Sequence, residues 1–272
     1  KKGNEKQVKA KTLICADGAT STGASKAGIP LPVTVPLLQA EVSLPSDWDH
    51  SVTKVWFDTH QNRYFYWLIP ESEQKAVVGM IGEDHKPVRA LLDNFLTDHN
   101  LKAVKYQFGR AAMHHPRLRP WGETGNLPIY LIGDAAGQVK VTTVGGTVTG
   151  FWGAKAAVRS ILNETSYKSE LRSLKSELDI HWYIRSLLEC LDNPGFDELV
   201  EIITPAVRNF LASYDRDQMA KNFWKLFFIQ PRFITLGLKL LLREPEYTPL
   251  PPTKSTFSTC NSMDMLKKSS LE

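Results

Sequence analysis

The chain has 272 residues, of which 42% are hydrophobic, so it can bury one large core or two smaller ones and is not a disordered protein. Its 33 basic and 29 acidic residues are interspersed, and the net charge of +4 is too small to indicate nucleic-acid binding, although it is compatible with anionic lipid headgroups or phosphorylated small molecules. The cysteines have no metal-binding spacing and no apolar run reaches 18 residues, so we expect no metal site and no membrane span, and a reducing, cytoplasmic location is favoured.

The first predicted element is a strand at residues 8–16, which becomes fully buried at residues 13–15 and ends in a turn at Asp17 and Gly18. Cys15 lies inside this strand and is interpreted as a small core residue. The sequence begins inside what resembles the middle of a strand pair. We therefore predict that it is the C-terminal part of a longer protein.

Residues 33–82 are rich in β-branched and aromatic side chains with turn residues at hairpin-like spacing, which predicts an antiparallel sheet. Within it the stretch FYWLIP at 65–70 alternates between two faces, so that Phe65, Trp67 and Ile69 share one of them. One interpretation is that this face is ordinary core. The other is that it forms the wall of an apolar pocket.

A helix is predicted at 87–99, followed by a strand at about 104–112 and a proline-rich loop. The loop carries His114 and His115, which are interpreted as solvent-exposed rather than catalytic, with a proton donor as the alternative. After a further strand, a second long helix is predicted to start near Gly145 and Gly146.

From about residue 164 the pattern is helical, and residues 247–272 are interpreted as a flexible tail because they are rich in proline, serine and threonine. The apolar stretch 222–243 is broken by Pro231 and carries basic residues at its margins. It is interpreted as two packed helices, with a helix lying on a membrane surface as the alternative.

The stretch YLIGDAAGQVKVTTVGG at 130–146 is the most informative part of the chain. A buried strand ends on the carboxylate of Asp134, and the small residues around it let a ligand or another backbone approach closely. An aspartate that caps its own turn would explain the carboxylate alone. A helix N-terminus at Gly145 and Gly146 would in addition favour a phosphate or a developing anion, as in a nucleotide cofactor site.

Two motifs carry a resemblance to the FAD-dependent reductase and hydroxylase superfamily. ADGATS at 16–21 resembles its Asp-Gly motif and LIGDAAG at 131–137 resembles its Gly-Asp motif. FYWLIP and the run at 139–157 are more similar to the geranylgeranyl reductase family, with Val144 where that family has a glycine. DRD at 215–217 and QPRF at 230–233 also resemble its C-terminal region.

This resemblance implies an α/β fold. It comprises a partial, discontinuous FAD-binding domain of the three-layer ββα type, an antiparallel β-sheet that forms the substrate region, and a helical C-terminal region. The predicted bounds are 1–32 with 113–163 for the first, 33–112 for the second and 164–246 for the third. No GxGxxG segment occurs in the sequence, so we expect this chain alone to bind FAD weakly or not at all.

The resemblance further implies reduction of isoprenoid C=C bonds in a geranylgeranyl chain carried by a diphosphate, a chlorophyll precursor or a lipid. NADPH or ferredoxin would donate the electrons, and contact with a membrane surface would suit such a substrate. The alternatives are a monooxygenase or halogenase of the same superfamily, and an inactive fragment that needs a separate N-terminal segment. No nucleic-acid partner is expected.

The residues to which the resemblance gives a role fall into two groups. The cofactor-binding residues are Asp17, Gly18, Gly133, Asp134, Ala135, Ala136, Gly145 and Gly146. The substrate-binding residues are Phe65, Trp67, Ile69 and Pro70. Asp134 would contact the ribityl chain, and the helix that begins after Gly146 would point at the pyrimidine edge of the isoalloxazine, where reduced flavin is negative.

Overall fold

The structure is a computed structural model that describes residues 8–45, 48–214 and 222–241. The predicted tail at 247–272 and the DRD motif at 215–217 lie outside the described residues. The described chain is α/β, with two sheets and a helical C-terminal region, as the sequence predicts.

The first sheet has three strands, β1 (Leu13–Cys15), β7 (Trp121–Thr124) and β8 (Leu127–Leu131), in the order β1-β8-β7. β1 runs parallel to β8, whereas β7 and β8 form an antiparallel hairpin. A short helix, α1 (Thr22–Lys26), follows β1. Buried side chains join these elements into one core: Cys15, Ala24, Ile29, Ile129, Leu131, Ala135 and Ala136.

The prediction that β1 is fully buried is wrong. Cys15 is buried, but the side chains of Leu13 and Ile14 are 40% and 43% exposed. The reason is that β1 is an edge strand, since β8 is its only strand partner among the described residues. The apolar run at 13–15 therefore predicted the strand correctly but did not predict which of its side chains are covered by neighbouring elements.

The second sheet is antiparallel and has the order β3-β4-β5-β2-β6. Its strands are β2 (Val33–Ser43), β3 (Lys54–Phe57), β4 (Phe65–Pro70), β5 (Lys75–Ile81) and β6 (Lys102–Met113). Helix α2 (Val88–Asp98) covers one face, where Leu92 and Phe95 pack against Tyr66, Leu68 and Met80. Burial alternates along β4 as predicted, with Tyr66 and Leu68 on the covered face.

The other α-helices of the described chain follow β8. They are α3 (Thr147–Leu162), α4 (Tyr167–Glu170), α5 (Arg172–Leu188), α6 (Asn193–Ile202), α7 (Pro205–Ala212), α8 (Leu226–Ile229) and α9 (Arg232–Leu241). α3 packs on β8 through Ala156 and Ala157, which lie with Tyr167 beside Tyr130. Leu236 and Leu240 of α9 are buried in the cluster around Phe196, which supports the interpretation of 222–243 as packed helices. None of the described helices is long and apolar enough to cross a membrane.

Candidate functional site

The two sequence motifs meet at one edge of the first sheet. β1 and β8 are in register as parallel neighbours, with Cys15 opposite Leu131, and the backbone N–H of Ile132 donates to the carbonyl of Cys15 at 3.0 Å. Asp17 and Asp134 follow the carboxyl ends of these two strands. In open α/β sheets ligands bind outside the carboxyl ends of parallel strands, so both motifs lie where a ligand site is expected.

Asp134 lies in a single 3₁₀ turn, Gly133–Ala136, directly after β8. The turn is bounded by Gly133 and Gly137, whose φ angles of +65° and +63° are readily adopted only by glycine. The carboxyl of Asp134 is half-buried, and burial raises its pKa, although the backbone N–H of Ala112 donates to it and partly offsets this. A half-buried carboxylate with so little compensation gains stability from any donor that a ligand brings.

The N-terminus of α3 lies beside this carboxylate. Gly146 is the N-cap residue and has no side chain to satisfy the first N–H groups of the helix. A Cβ atom added at Gly146 would lie 3.1 Å from Oδ1 of Asp134 and 3.1 Å from Cγ2 of Val139. The glycine therefore allows a 16-residue helix to begin next to the carboxylate, which places an acceptor and an uncapped positive helix end together.

Gln138 holds this arrangement in place and was not found by sequence reasoning. Its side chain is buried, its Oε1 accepts from the N–H of Gly133 at 2.7 Å, and its Nε2 donates to the hydroxyl of Tyr167 at 3.4 Å. The hydroxyl of Thr149 in α3 donates to the backbone carbonyl of Gln138. Gln138 thereby links the Asp134 turn to α3. Its only signal in the sequence is that a polar residue interrupts the small and apolar run AAGQV.

The loop between Gln138 and α3 closes through a bridge between Lys140 and Gly145. The N–H of Lys140 donates to the carbonyl of Gly145 at 3.0 Å. On the other side of the loop, Thr142 Oγ1 hydrogen-bonds to Nδ1 of His181 in α5 at 2.8 Å. The helical region thus supports the loop before Gly145, a contact that the sequence pattern did not indicate.

Val144 has a φ of +51°, in the left-handed region that a β-branched residue rarely adopts. This is the position where the resembling family has glycine, so the backbone has kept the glycine-like conformation. Replacing Val144 by Gly is therefore expected to raise the free energy of unfolding by about 1 kcal/mol, because the steric cost of a Cβ at positive φ is removed. Urea unfolding measures this, and an unchanged or lower stability of Val144→Gly would contradict the strain.

Asp17 is engaged within the chain. The hydroxyl of Ser21 donates to its Oδ1 and the N–H of Gly23 donates to its Oδ2 at 3.0 Å. These hydrogen bonds, that from Ser21 above all, hold the pKa of Asp17 below its usual range. Gly23 has to remain small because an added Cβ would lie 2.3 Å from the sulfur of Cys15. The structure therefore gives Asp17 and the turn at Gly18, whose φ is +82°, a role in fixing the start of α1.

Replacing Ser21 by Ala is expected to lower the free energy of unfolding by about 1–2 kcal/mol, since the buried hydroxyl caps α1 through the N–H of Ala24 and also donates to Asp17. The stability from the lowered pKa of Asp17 is present above the unfolded value and is lost as the pH falls, so the difference between variant and wild type should shrink in acid. Ser25→Ala, in the same helix, is the control and should change stability little. Equal effects of the two substitutions would contradict this assignment.

The environment of the two loop histidines differs in part from the solvent exposure that the sequence predicted. His114 is buried, with Nδ1 3.2 Å from the carbonyl of Gly137 and Nε2 2.8 Å from Oδ1 of Asp179 in α5. His115 packs against Trp182 and accepts from the N–H of Arg117, and burial first and then the nearby Arg117 lower its pKa. The interpretation of a solvent-exposed pair is therefore wrong for His114, because α5 covers this part of the loop.

The four residues with a predicted substrate role lie on β4. Phe65 and Trp67 are half-buried on the face that α2 does not cover, Ile69 is exposed, and Pro70 ends the strand. The ring of Trp67 lies over Gly79 of β5, where an added Cβ would be 2.3 Å from the indole. At one end of this face Phe57, the partner of Phe65 on β3, stacks on Phe196 of α6. An aromatic face is compatible with a pocket wall, and its role in substrate binding stays a prediction.

No known protein-family model matches the chain. An uncharacterized protein of Methanocaldococcus jannaschii is 26% identical over 216 residues, which cover 73% of this chain and 55% of the relative. Among solved structures, a geranylgeranyl bacteriochlorophyll reductase-like protein of Thermoplasma acidophilum matches with a TM-score of 0.57 and 19% identity, covering 84% of this chain and 62% of that one.

The flavin-dependent brominase Bmp2 matches with a TM-score of 0.56 and 15% identity, covering 84% of this chain and 65% of that one. The chain thus spans about half of this curated relative and less than two thirds of either structure. It shares its fold with these two proteins.

Proposed function

We propose that the protein takes part in the FAD-dependent reduction of C=C bonds in an isoprenoid chain. The observation that carries the proposal is the placement of the Asp134 carboxylate beside the uncapped N-terminus of α3, at the carboxyl edge of the parallel strands β1 and β8. When bound, FAD would supply a hydride to one alkene carbon while a proton adds to the other.

The residues present fit the ribityl and isoalloxazine part of a flavin. Hydroxyl groups of a ribityl chain would donate to the half-buried carboxylate of Asp134, which needs such donors. The N–H groups at the start of α3 would stabilise negative charge on the reduced ring. Ala135 and Ala136 are buried and small, and the glycine at 146 leaves the space that a Cβ would fill.

Two observations support an isoprenoid substrate. The solved structure from Thermoplasma acidophilum is described as geranylgeranyl bacteriochlorophyll reductase-like. In this chain, Phe65 and Trp67 form an apolar face on the side of the second sheet that α2 leaves open, which suits a hydrocarbon chain. We propose NADPH or ferredoxin as the electron donor and contact with a membrane surface during access to a lipid-borne substrate.

The test is anaerobic photoreduction of FAD in the presence of the protein, followed by addition of geranylgeranyl diphosphate. Reoxidation of the flavin with gain of two hydrogens per reduced bond is expected, at a rate that depends on protein. Flavin that is bound by the protein and stays reduced with every prenyl lipid offered would contradict the reductase proposal.

The same experiment separates the alternatives. The match to a flavin-dependent brominase makes oxygen-dependent chemistry the second candidate, and it predicts an oxygenated or halogenated product only when O₂ is admitted. A fragment that needs a separate N-terminal segment predicts no flavin binding until a polypeptide carrying GxGxxG is added.

A further inference from the structure

A second concave site lies on the flank of the first sheet that is formed by β7, away from β1. It is a cleft of about 1560 Å³ between residues 27–30, the loop 116–120, β7, and helices α4 and α5. β1 and β7 are the two outer strands of this sheet, with β8 between them. Ala136 and Gln138 line the cleft from behind the Asp134 turn, whereas Asp134 itself and the first turn of α3 are not part of its lining.

The rim of the cleft is basic. Arg117 and Arg119 line it from the loop, on either side of the buried Leu118 in sequence, and Lys168 and Arg172 line it from α4 and α5. All four side chains belong to exposed residues, and none forms an ion pair within the described part of the chain. Four uncompensated cations around one concavity repel one another, and an anionic ligand would relieve that repulsion.

Two acidic residues also line the cleft, Glu123 and Asp179, and neither forms an ion pair with the four cations in the described part of the chain. Asp179 is held by Lys175, with Nζ 2.7 Å from Oδ2, and by His114, with Nε2 2.8 Å from Oδ1. Burial would raise the pKa of Asp179, but the hydrogen bonds from His114 and Lys175 outweigh it and hold the pKa low. The carboxylate of Asp179 is therefore satisfied by these two groups, and four cations against the single exposed carboxylate of Glu123 leave the cleft with an excess of positive charge.

The walls of the cleft are in part apolar. Trp121 and Tyr183 offer aromatic surface, and the buried Leu174 and Leu178 also line the cleft. Pro116 and Pro120 restrict the loop that carries the two arginines, which limits the entropy lost on binding. A ligand that fits both features has a multiply charged anionic group and a less polar body.

We propose that this cleft binds a phosphorylated small molecule through a diphosphate or similar polyanionic group held by Arg117, Arg119, Lys168 and Arg172. Planar guanidinium groups bind phosphate oxygens in pairs and are weakly hydrated, which makes three arginines and a lysine a suitable set. None of these four cations is among the residues assigned to flavin binding, and the proposal does not depend on the proposed function.

The test is calorimetric titration of the 272-residue protein with inorganic pyrophosphate at low ionic strength, for the wild type, Arg172→Glu and Arg119→Glu. Each variant is expected to weaken binding at least tenfold. The matched control is Arg208→Glu in α7, an exposed arginine without an ion pair in the described chain, which changes the net charge equally. It should weaken binding less than twofold, and circular dichroism checks that all variants fold.

Equal weakening by Arg172→Glu and Arg208→Glu would overturn the proposal, because the attraction would then belong to net charge alone. Absence of pyrophosphate binding to the wild type would overturn it as well. Sedimentation with vesicles of phosphatidylglycerol and phosphatidylcholine distinguishes a lipid surface from a free phosphate. Vesicle binding that Arg172→Glu abolishes, without pyrophosphate binding, would assign the cations to a membrane surface and contradict the cleft as a small-molecule site.

Discussion

Replacing Asp134 by Asn, in the presence of a polypeptide that supplies the GxGxxG segment, is expected to weaken FAD binding about ten- to hundredfold, since a charge-assisted hydrogen bond to a ligand hydroxyl contributes roughly 1.5–3 kcal/mol. The same substitution should leave the flavin-free protein as stable as the wild type or more stable. Burial raises the pKa of Asp134, so the ionised form is disfavoured in the folded state and an amide avoids this cost. Opposite effects on ligand affinity and on stability are typical of a residue kept for binding.

The raised pKa of Asp134 also determines how the free energy of unfolding changes with pH. The stability from a carboxyl with a raised pKa is present below its unfolded pKa of about 3.9 and is lost as the pH rises through the folded value. As the pH rises through the folded pKa of Asp134, the free energy of unfolding of the flavin-free wild type should therefore fall. The variant Asp134→Asn should not show this fall. Flavin fluorescence titration and urea unfolding measure the two effects.

The matched control for Asp134 is Asp98→Asn at the exposed end of α2, which removes the same charge far from the candidate site. It should change neither the affinity for FAD nor the free energy of unfolding measurably. Retention of wild-type FAD affinity by Asp134→Asn would remove Asp134 from the site. A large loss of stability in that variant would mean that the carboxylate serves the fold instead.

Replacing Gly153 by Ala is expected to lower the free energy of unfolding by about 1–2 kcal/mol, although alanine is the better helix former by about 1 kcal/mol. An added Cβ would lie 1.9 Å from Oε1 of Gln138, the atom that accepts from the N–H of Gly133. Because Gln138 is 2% exposed, its side chain has little room to move, and overpacking of this kind costs roughly 1–3 kcal/mol. The displaced amide would also release the Asp134 turn, so FAD affinity should fall with stability.

Gly237→Ala is the control for helix propensity. Gly237 lies within α9, and an added Cβ would meet no atom within 4 Å. This substitution should raise the free energy of unfolding by up to about 1 kcal/mol. If Gly153→Ala were stabilising to the same extent, the contact between α3 and Gln138 could not be holding the turn.

The sequence predicted those parts of the site that depend on local backbone chemistry. A strand followed by Gly-Asp and small residues, and a helix starting at a glycine pair, place Asp134 and Gly146 correctly because each signal is contained in a few consecutive residues. The left-handed conformation at Val144 was not predicted, since a β-branched residue rarely adopts it.

The sequence did not predict what depends on contacts between distant segments. His114 is buried because Asp179, 65 residues later, lies over it, and the exposure of Leu13 and Ile14 reflects the absence of a second strand beside β1 in the described chain. Gln138 connects Gly133 to Tyr167 through a side chain whose direction no periodic pattern reveals. Pairings of this kind are set by tertiary packing, which local propensity does not encode.

A crystal structure of the protein with FAD bound is the most direct test of the flavin site. The arrangement described here predicts that ribityl hydroxyls lie within hydrogen-bond distance of the Asp134 carboxylate, and that the pyrimidine edge of the isoalloxazine faces the N–H groups at Gly145, Gly146 and the first turn of α3. Flavin density at any other place, with Asp134 and the start of α3 out of contact with it, would contradict the assignment.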